Sequence, residues 1–242
     1  MFNDRLEVVV ANAAGLAETD KEAFAKIRRV GFGASDSSII LGVNKWTTID
    51  ELIAQKLSDE LTPDEIAVGN KPQVRMGADL EPIILNKFCK WSELMVRKPL
   101  AMYRIIAYPQ LLINFDGIVE DTAIPVECKL VSMFADRYWD KDKALKDGEL
   151  IRQKPPTFGS ARSIEEHVNT MASMYGIPPY YYTQVQQQLL GSGGLYAYLA
   201  ALFVKDWTLR VYQIYSDSIT QDMIVTKSEQ YWETVKDKKE SQ

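Results

Sequence analysis

The chain has 242 residues, 46% of them hydrophobic, which suits one domain with a sizeable core and leaves little room for a second. Its formal net charge of −5 speaks against a protein that coats nucleic acid with a broad positive field, though a few placed cations can still grip it locally. Two cysteines outside any CxxC pair, Cys89 and Cys128, and a single histidine, His167, exclude a four-thiol cluster, a multi-histidine metal site and a histidine-based triad, and fit a reduced, cytoplasmic protein.

In chain order, Met1 to Val10 carries Asp4 and Glu7 and lacks the basic-then-apolar pattern of a secretory signal. No apolar run approaches the roughly 18 residues of a membrane span. Lys21 to Arg29 is predicted as a helix, with Phe24 and Ile27 at helical spacing. Gly31, Gly33 and Ser35 interrupt it. Ser35 or Asp36 can cap a short helix over Ser37 to Leu41 that Gly42 closes, and Thr48 or Asp50 starts the next, through Leu52, Ile53 and Leu57. Met76 to Trp91 has the clearest helical stripe, Leu80, Ile83, Ile84 and Phe88. Pro82 is assigned to its first turn, which places Glu81 near the N-terminal end.

Leu111 to Val119 and Ile124 to Val131 have β-type composition. Phe134 to Pro179 is long, charged and punctuated by Pro155, Pro156 and Gly159, and reads as an insertion or lid. Tyr180 to Leu190 returns to helix. Leu195 to Val204 and Leu209 to Tyr215 form a hairpin, and Asp217 to Lys236 a closing helix with Ile224, Tyr231 and Val235 inward. The expectation is one domain over 1–242, with helices and a first hairpin in 28–133, the insertion in 134–179 and the remaining core in 180–236. Its class is α/β, a mixed central sheet flanked by helices.

Chemistry concentrates on the first hairpin. Opposed residues of an antiparallel pair have numbers with a constant sum, so a turn centred between Asp121 and Thr122 sets Asp116 against Glu127. Strand parity puts Glu127 and Lys129 on one face. Two carboxylates and an ammonium suit divalent-metal hydrolysis of a phosphodiester: carboxylate oxygens hold hard Mg²⁺ or Mn²⁺, and a lysine beside them steadies an attacking water and transition-state charge. The same pattern also describes a cross-strand salt bridge on a solvated sheet. The flanks oppose that: Leu111, Leu112, Ile113, Phe115, Ile118, Val126, Leu130 and Val131 mark a covered strand, where unmatched carboxylates are costly.

Asn114-Phe115-Asp116-Gly117 followed by Val126-Glu127-Cys128-Lys129 resembles the paired motif of the PD-(D/E)xK nuclease superfamily, in its phage-type YqaJ viral recombinase and lambda exonuclease branch. Gly33-Ala34-Ser35-Asp36 with Ile40-Leu41-Gly42, Gly77 to Pro82, Pro179 to Gln186 and Tyr231 to Val235 resemble four further family segments in the family's order. The resemblance runs from about Arg28 to Val235. It implies a restriction-endonuclease-like core. Asp116, Glu127 and the backbone carbonyl of Cys128 would ligate metal, Lys129 would act on the water, Glu81 would be a further metal or water ligand, and Gln184 would line the site. Ser35 and Arg28 would hold a DNA 5′-phosphate, with Arg29 competing for Arg28's place. Phe115 stands where the superfamily has proline, and Asn114 where it has a small serine.

Each position has a plainer reading. Glu81 fits a helix N-terminus electrostatically, Gln184 a polar helix surface, Ser35 a cap and Arg28 a solvated face. His167 is expected to be non-catalytic, and Tyr180 to Tyr182 to be packing. The resemblance implies an Mg²⁺-dependent exonuclease, with Mn²⁺ able to substitute, that resects linear double-stranded DNA from its 5′ end in the host cytoplasm. It further implies a trimeric ring and a single-strand annealing protein as partner. The alternatives are an endonuclease of restriction or repair type and an inactive nuclease-fold binding protein.

Overall fold

Tyr196–Phe203 is apolar or aromatic at every position, and both faces of this strand are buried. A strand covered on both sides must be central, and the rest of the fold is arranged around it. The computed structural model describes residues 4–58, 60–61, 71–150, 155–156 and 161–241. In chain order the elements are β1 (Leu6–Val10), α1 (Ala13–Thr19), α2 (Lys21–Ile27), β2 (Phe32–Gly33), α3 (Ser37–Ile40), α4 (Ile49–Leu57), α5 (Pro72–Ser92), β3 (Val96–Arg97) and β4 (Met102–Ile105). They continue with β5 (Tyr108–Ile113), β6 (Gly117–Val119), β7 (Pro125–Val131), α6 (Ile164–Tyr175), α7 (Pro179–Ser192), β8 (Tyr196–Phe203), β9 (Thr208–Tyr215) and α8 (Ser218–Glu240).

The strands form two sheets, ordered β1-β4-β5-β2 and β3-β6-β7-β8-β9. Both are mixed, because β2 runs parallel to β5 and β7 parallel to β8. In the larger sheet, parity sorts the side chains of β8. Ala197, Leu199, Ala201 and Phe203 join the main core with α7, while Tyr198, Ala200 and Leu202 join a second cluster under Ile84 and Phe88 of α5. The larger sheet is therefore sandwiched between α7 and α5, and the α/β class with helices flanking mixed sheets holds.

Several boundaries differ from expectation. Leu111 to Val119 is two strands instead of one: β5 ends at Ile113 in the smaller sheet, and β6 begins at Gly117 in the larger. Gly117 permits the crossing, since a Cβ there would sit 2.7 Å from Val96 Cγ1 and 2.9 Å from Leu85 Cδ1. Helix α5 starts at Pro72, so Pro82 is interior and Glu81 lies mid-helix, away from the N-terminal end. Pro82 has no N–H for the carbonyl of Ala78, but both residues are exposed, so water can satisfy the freed group.

The stretch 134–179 is in part framework and not lid. Trp139 packs on Tyr181, Phe203 and Tyr212 at 5.3–5.6 Å between centroids. From α6, Val168, Met171, Ala172 and Tyr175 enter the main core. Pro155 and Pro156 are described, whereas Gly159 lies outside the described residues. His167 and Tyr182 both bond Asp217 Oδ2, at 2.9 and 2.8 Å, tying α6 and α7 to the residue that caps α8. No helix among the described residues is long and apolar enough to cross a membrane.

Candidate active site

The β6–β7 hairpin has the expected register: Gly117 pairs with Val126 and Ile118 with Pro125, all summing to 243. Val119 N donates to Ile124 O at 3.0 Å, and Asp121 takes the left-handed conformation (φ 58°) that the tight turn requires. The ladder ends at Gly117, so Asp116 stands one step beyond it, opposite Glu127. In β7, Val126 and Cys128 face α5 while Glu127 and Lys129 face the opposite side, toward α7.

Glu127 is only 2% exposed and heavily bonded. Its Oε1 accepts from Lys129 Nζ (2.5 Å) and Gln184 Nε2 (2.5 Å), and its Oε2 from Gln188 Nε2 (2.6 Å). Gln184 and Gln188 are one helical turn apart on α7, so a single helix face presents both amides. Asp116 Oδ2 accepts from Cys128 N–H at 2.8 Å, and so takes the place of a ladder partner that β6 is too short to supply. Lys129 Nζ also lies over the Tyr181 ring, 5.0 Å from its centroid.

Electrostatics follow from this crowding. Burial pushes the Asp116 carboxyl well above the usual carboxylate range, and the like charges of Glu127 and Glu81 add to it, against Lys129 and the Cys128 amide. Burial alone would lower Lys129, but Glu127 and Asp116 outweigh it and hold the ammonium charged, above its ordinary value. The Cys128 thiol is pushed well up by burial and then by the same carboxylates, which leaves its side chain unreactive.

Arg28 and Ser35 share a cavity of about 130 Å³ with Asp116, Glu127 and Gln184. Arg28 Nη2 donates to Ser35 Oγ at 3.0 Å. Arg29 points elsewhere, donating to the Ser58 carbonyl, so Arg28 is the arginine of the pair that faces the site. Beneath Arg28 lies a buried ion pair absent from the sequence reading: Lys56 Nζ contacts Asp36 Oδ2 at 2.9 Å and the Arg28 carbonyl at 3.1 Å. Asp36 also accepts from Gly33 N–H (2.9 Å), which fixes the loop that carries Ser35.

Glu81 lies near enough for its charge to raise Asp116, while its Oε1 pairs with Lys98 at 2.8 Å. Among the described residues no three His, Cys, Asp or Glu side chains form a metal-holding group. The remaining donor set is Asp116, Glu127 and a main-chain carbonyl. In an extended strand a residue's N–H and C=O leave on the same side, so the Cys128 carbonyl points toward Asp116 as its N–H does. Hard oxygens of this kind fit Mg²⁺, which keeps several waters and needs few protein ligands. Sequence reasoning missed Gln188 and Lys56, and took Asp36 only as a possible cap within a family segment. Gln188 follows from Gln184 by helical spacing, whereas Lys56 carries no signal of its own.

The family model of the YqaJ-like viral recombinase domain matches residues 23–194, a span that holds Arg28, Ser35, Asp116, Glu127, Lys129 and Gln184. The uncharacterized protein YqaJ of Bacillus subtilis (strain 168) is 30% identical over 152 residues, 63% of this chain; the aligned part covers 45% of that longer protein. An alkaline exonuclease (LHK-Exo) from Laribacter hongkongensis has a similar fold, with a TM-score of 0.59 at 14% identity over 88% of this chain and 92% of that one. A phage related exonuclease from Haemophilus somnus 129PT gives a TM-score of 0.51 at 11% identity, covering 86% and 96%. The fold is accordingly shared with these two exonucleases. By its sequence, the chain belongs to the YqaJ-like viral recombinase domain family.

Proposed function

We propose that the chain is an Mg²⁺-dependent exodeoxyribonuclease that resects linear duplex DNA from the 5′ end. One observation carries this reading: Asp116 and Glu127 line the same small cavity as Arg28 and Ser35. A guanidinium and a hydroxyl beside a hydrolytic centre suit a terminal phosphate, and an end-binding pocket favours an exonuclease over an endonuclease. Asp116, Glu127 and the Cys128 carbonyl would hold the metal, whose chemistry is to acidify water and offset phosphate charge. Lys129, kept protonated by its carboxylate neighbours, orients the attacking water and stabilises the developing negative charge. Gln184 and Gln188 fix the Glu127 carboxylate between them. Glu81, paired with Lys98 in this structure, acts from the periphery through its charge. A trimeric ring around the DNA, a single-strand annealing partner and a cytoplasmic setting go with this reading through the family.

The deciding experiment incubates purified protein with 5′-labelled linear duplex and Mg²⁺. Release of labelled mononucleotide by wild type and none by Asp116→Asn is the expected result. Cleavage of closed circular DNA would make the enzyme an endonuclease. DNA binding without turnover in any divalent metal would make it an inactive binding protein.

A further inference from the structure

An aromatic path leads from Lys129 to the surface. Tyr181, under the lysine, meets Tyr180 edge-on at 4.5 Å, and Tyr180 meets Trp46 edge-on at 5.0 Å. Trp46 is 69% exposed. It is nevertheless held in place, because Asn44 Oδ1 accepts from the N–H groups of Trp46 (2.8 Å) and Thr47 (2.9 Å). Asn44 in turn donates to Ser38 Oγ at 3.0 Å, anchoring this loop to α3. Tyr138, half-exposed at 50%, borders the same patch: burial raises the Tyr180 hydroxyl, and the phenols of Tyr181 and Tyr138 add to the shift.

Two exposed cations dress the Tyr138 ring. Lys45 Nζ lies 5.8 Å from its centroid and the Arg137 guanidinium 4.8 Å. Among the described residues neither cation has a carboxylate within salt-bridge distance, whereas Asp136 is shared by Lys141, Lys205 and Arg210. Within the described residues, an acidic chain thus keeps two cations outside any ion pair on an exposed ring beside its candidate catalytic lysine. Core packing does not require it, since Trp139 and Tyr182 already fill the interior behind.

We infer that Trp46 and Tyr138, with Lys45 and Arg137, form a stacking platform for unpaired nucleotides of a DNA strand bound at the site. Flat rings accept any base, and the two cations follow the backbone phosphates, which is how sequence-tolerant single-strand grooves are built. The inference rests on the nuclease reading of the adjacent centre, but its test does not depend on turnover.

Binding of a fluorescent single-stranded oligodeoxynucleotide to the full chain is measured in EDTA, where no hydrolysis occurs. Trp46→Ala and Tyr138→Ala are expected to weaken binding by about 10-fold each, Trp46→Phe by much less. The oligonucleotide should quench tryptophan emission in wild type, and the quenching should shrink in Trp46→Phe. Equal affinity of wild type and both alanine variants, with unchanged unfolding midpoints, overturns the platform and leaves the nuclease reading intact. Weakened binding in these variants, with no turnover by wild type in Mg²⁺, upholds the platform and removes the nuclease. Loss of self-association with unaltered oligonucleotide affinity would make the patch a contact between copies, which also overturns the inference.

Discussion

Glu127 is a buried carboxylate with donors on both oxygens, and its neighbours set what mutation does to it. Removing one partner leaves a buried acceptor unsatisfied, so Gln188→Ala should cost about 1–3 kcal/mol of stability, read by urea denaturation, and slow hydrolysis as well. Lys129→Met should lower turnover on the order of 100- to 1000-fold with little change in DNA affinity. Asp116 behaves in the opposite sense. Its pKa is raised in the fold, so the native state holds the proton more tightly than the unfolded chain, and stability falls as pH rises above the ordinary value of 3.8. Asp116→Asn removes that charge and keeps an oxygen for the Cys128 amide. In chelator at neutral pH it should therefore raise the unfolding midpoint by a few degrees, on the order expected for 1 kcal/mol or more, while abolishing hydrolysis. At this scale Asp116, Glu127 and Lys129 were legible, because strand parity and a constant pairing sum need no tertiary information. Gln184, Ser35 and Arg28 were legible only through family resemblance. Lys56 was not legible at all, since its pairing with Asp36 depends on how α4 packs and not on any local pattern.

Elements were readable where one periodicity ran unbroken. The turn at Asp121, the β8–β9 hairpin and the closing helix all lie where their residues place them, and of the two cap candidates Thr48 and Asp50 it is Thr48 that starts α4. Two elements misled for identifiable reasons. An apolar run such as Leu111 to Val119 cannot disclose that its halves hydrogen-bond to different sheets, and a proline assigned to the first turn concealed the four residues of α5 ahead of Met76. Helix α6 was hidden by the prolines and charges of the stretch around it. Its junction with α7 and α8 can be tested through Asp217. Burial pushes that carboxyl up, but hydrogen bonds from Thr220, His167 and Tyr182 outweigh it and leave the pKa below the ordinary 3.8. The stability it contributes is then fully present above that value and drains away as pH falls through the lowered one. Asp217→Asn should cost about 1–3 kcal/mol at neutral pH. It should also flatten the acid limb of the stability profile below about pH 4, as followed by circular dichroism.

Across the whole molecule, α7 is the member that spans both sheets. Gln187 donates to the carbonyls of Phe32 and Leu112 in the smaller sheet, both at 3.0 Å, while Gln184 and Gln188 hold Glu127 in the larger. Close approach at the end of this helix depends on Gly191, where a Cβ would lie 2.1 Å from Ile113 Cδ1. Gly191→Val should accordingly cost about 1–3 kcal/mol by overpacking, since the Ile113 side chain must turn aside, as read by urea denaturation. The break at Asn114 to Asp116 has a mechanical meaning in this frame. Glu127 and Lys129 share one strand and move together, but Asp116 hangs from the joint between two sheets. Any rocking of one sheet against the other opens the gap between the two acids first. Catalytic competence should then fade at a lower urea concentration than helix content does, with the site acting as the molecule's most sensitive strain gauge.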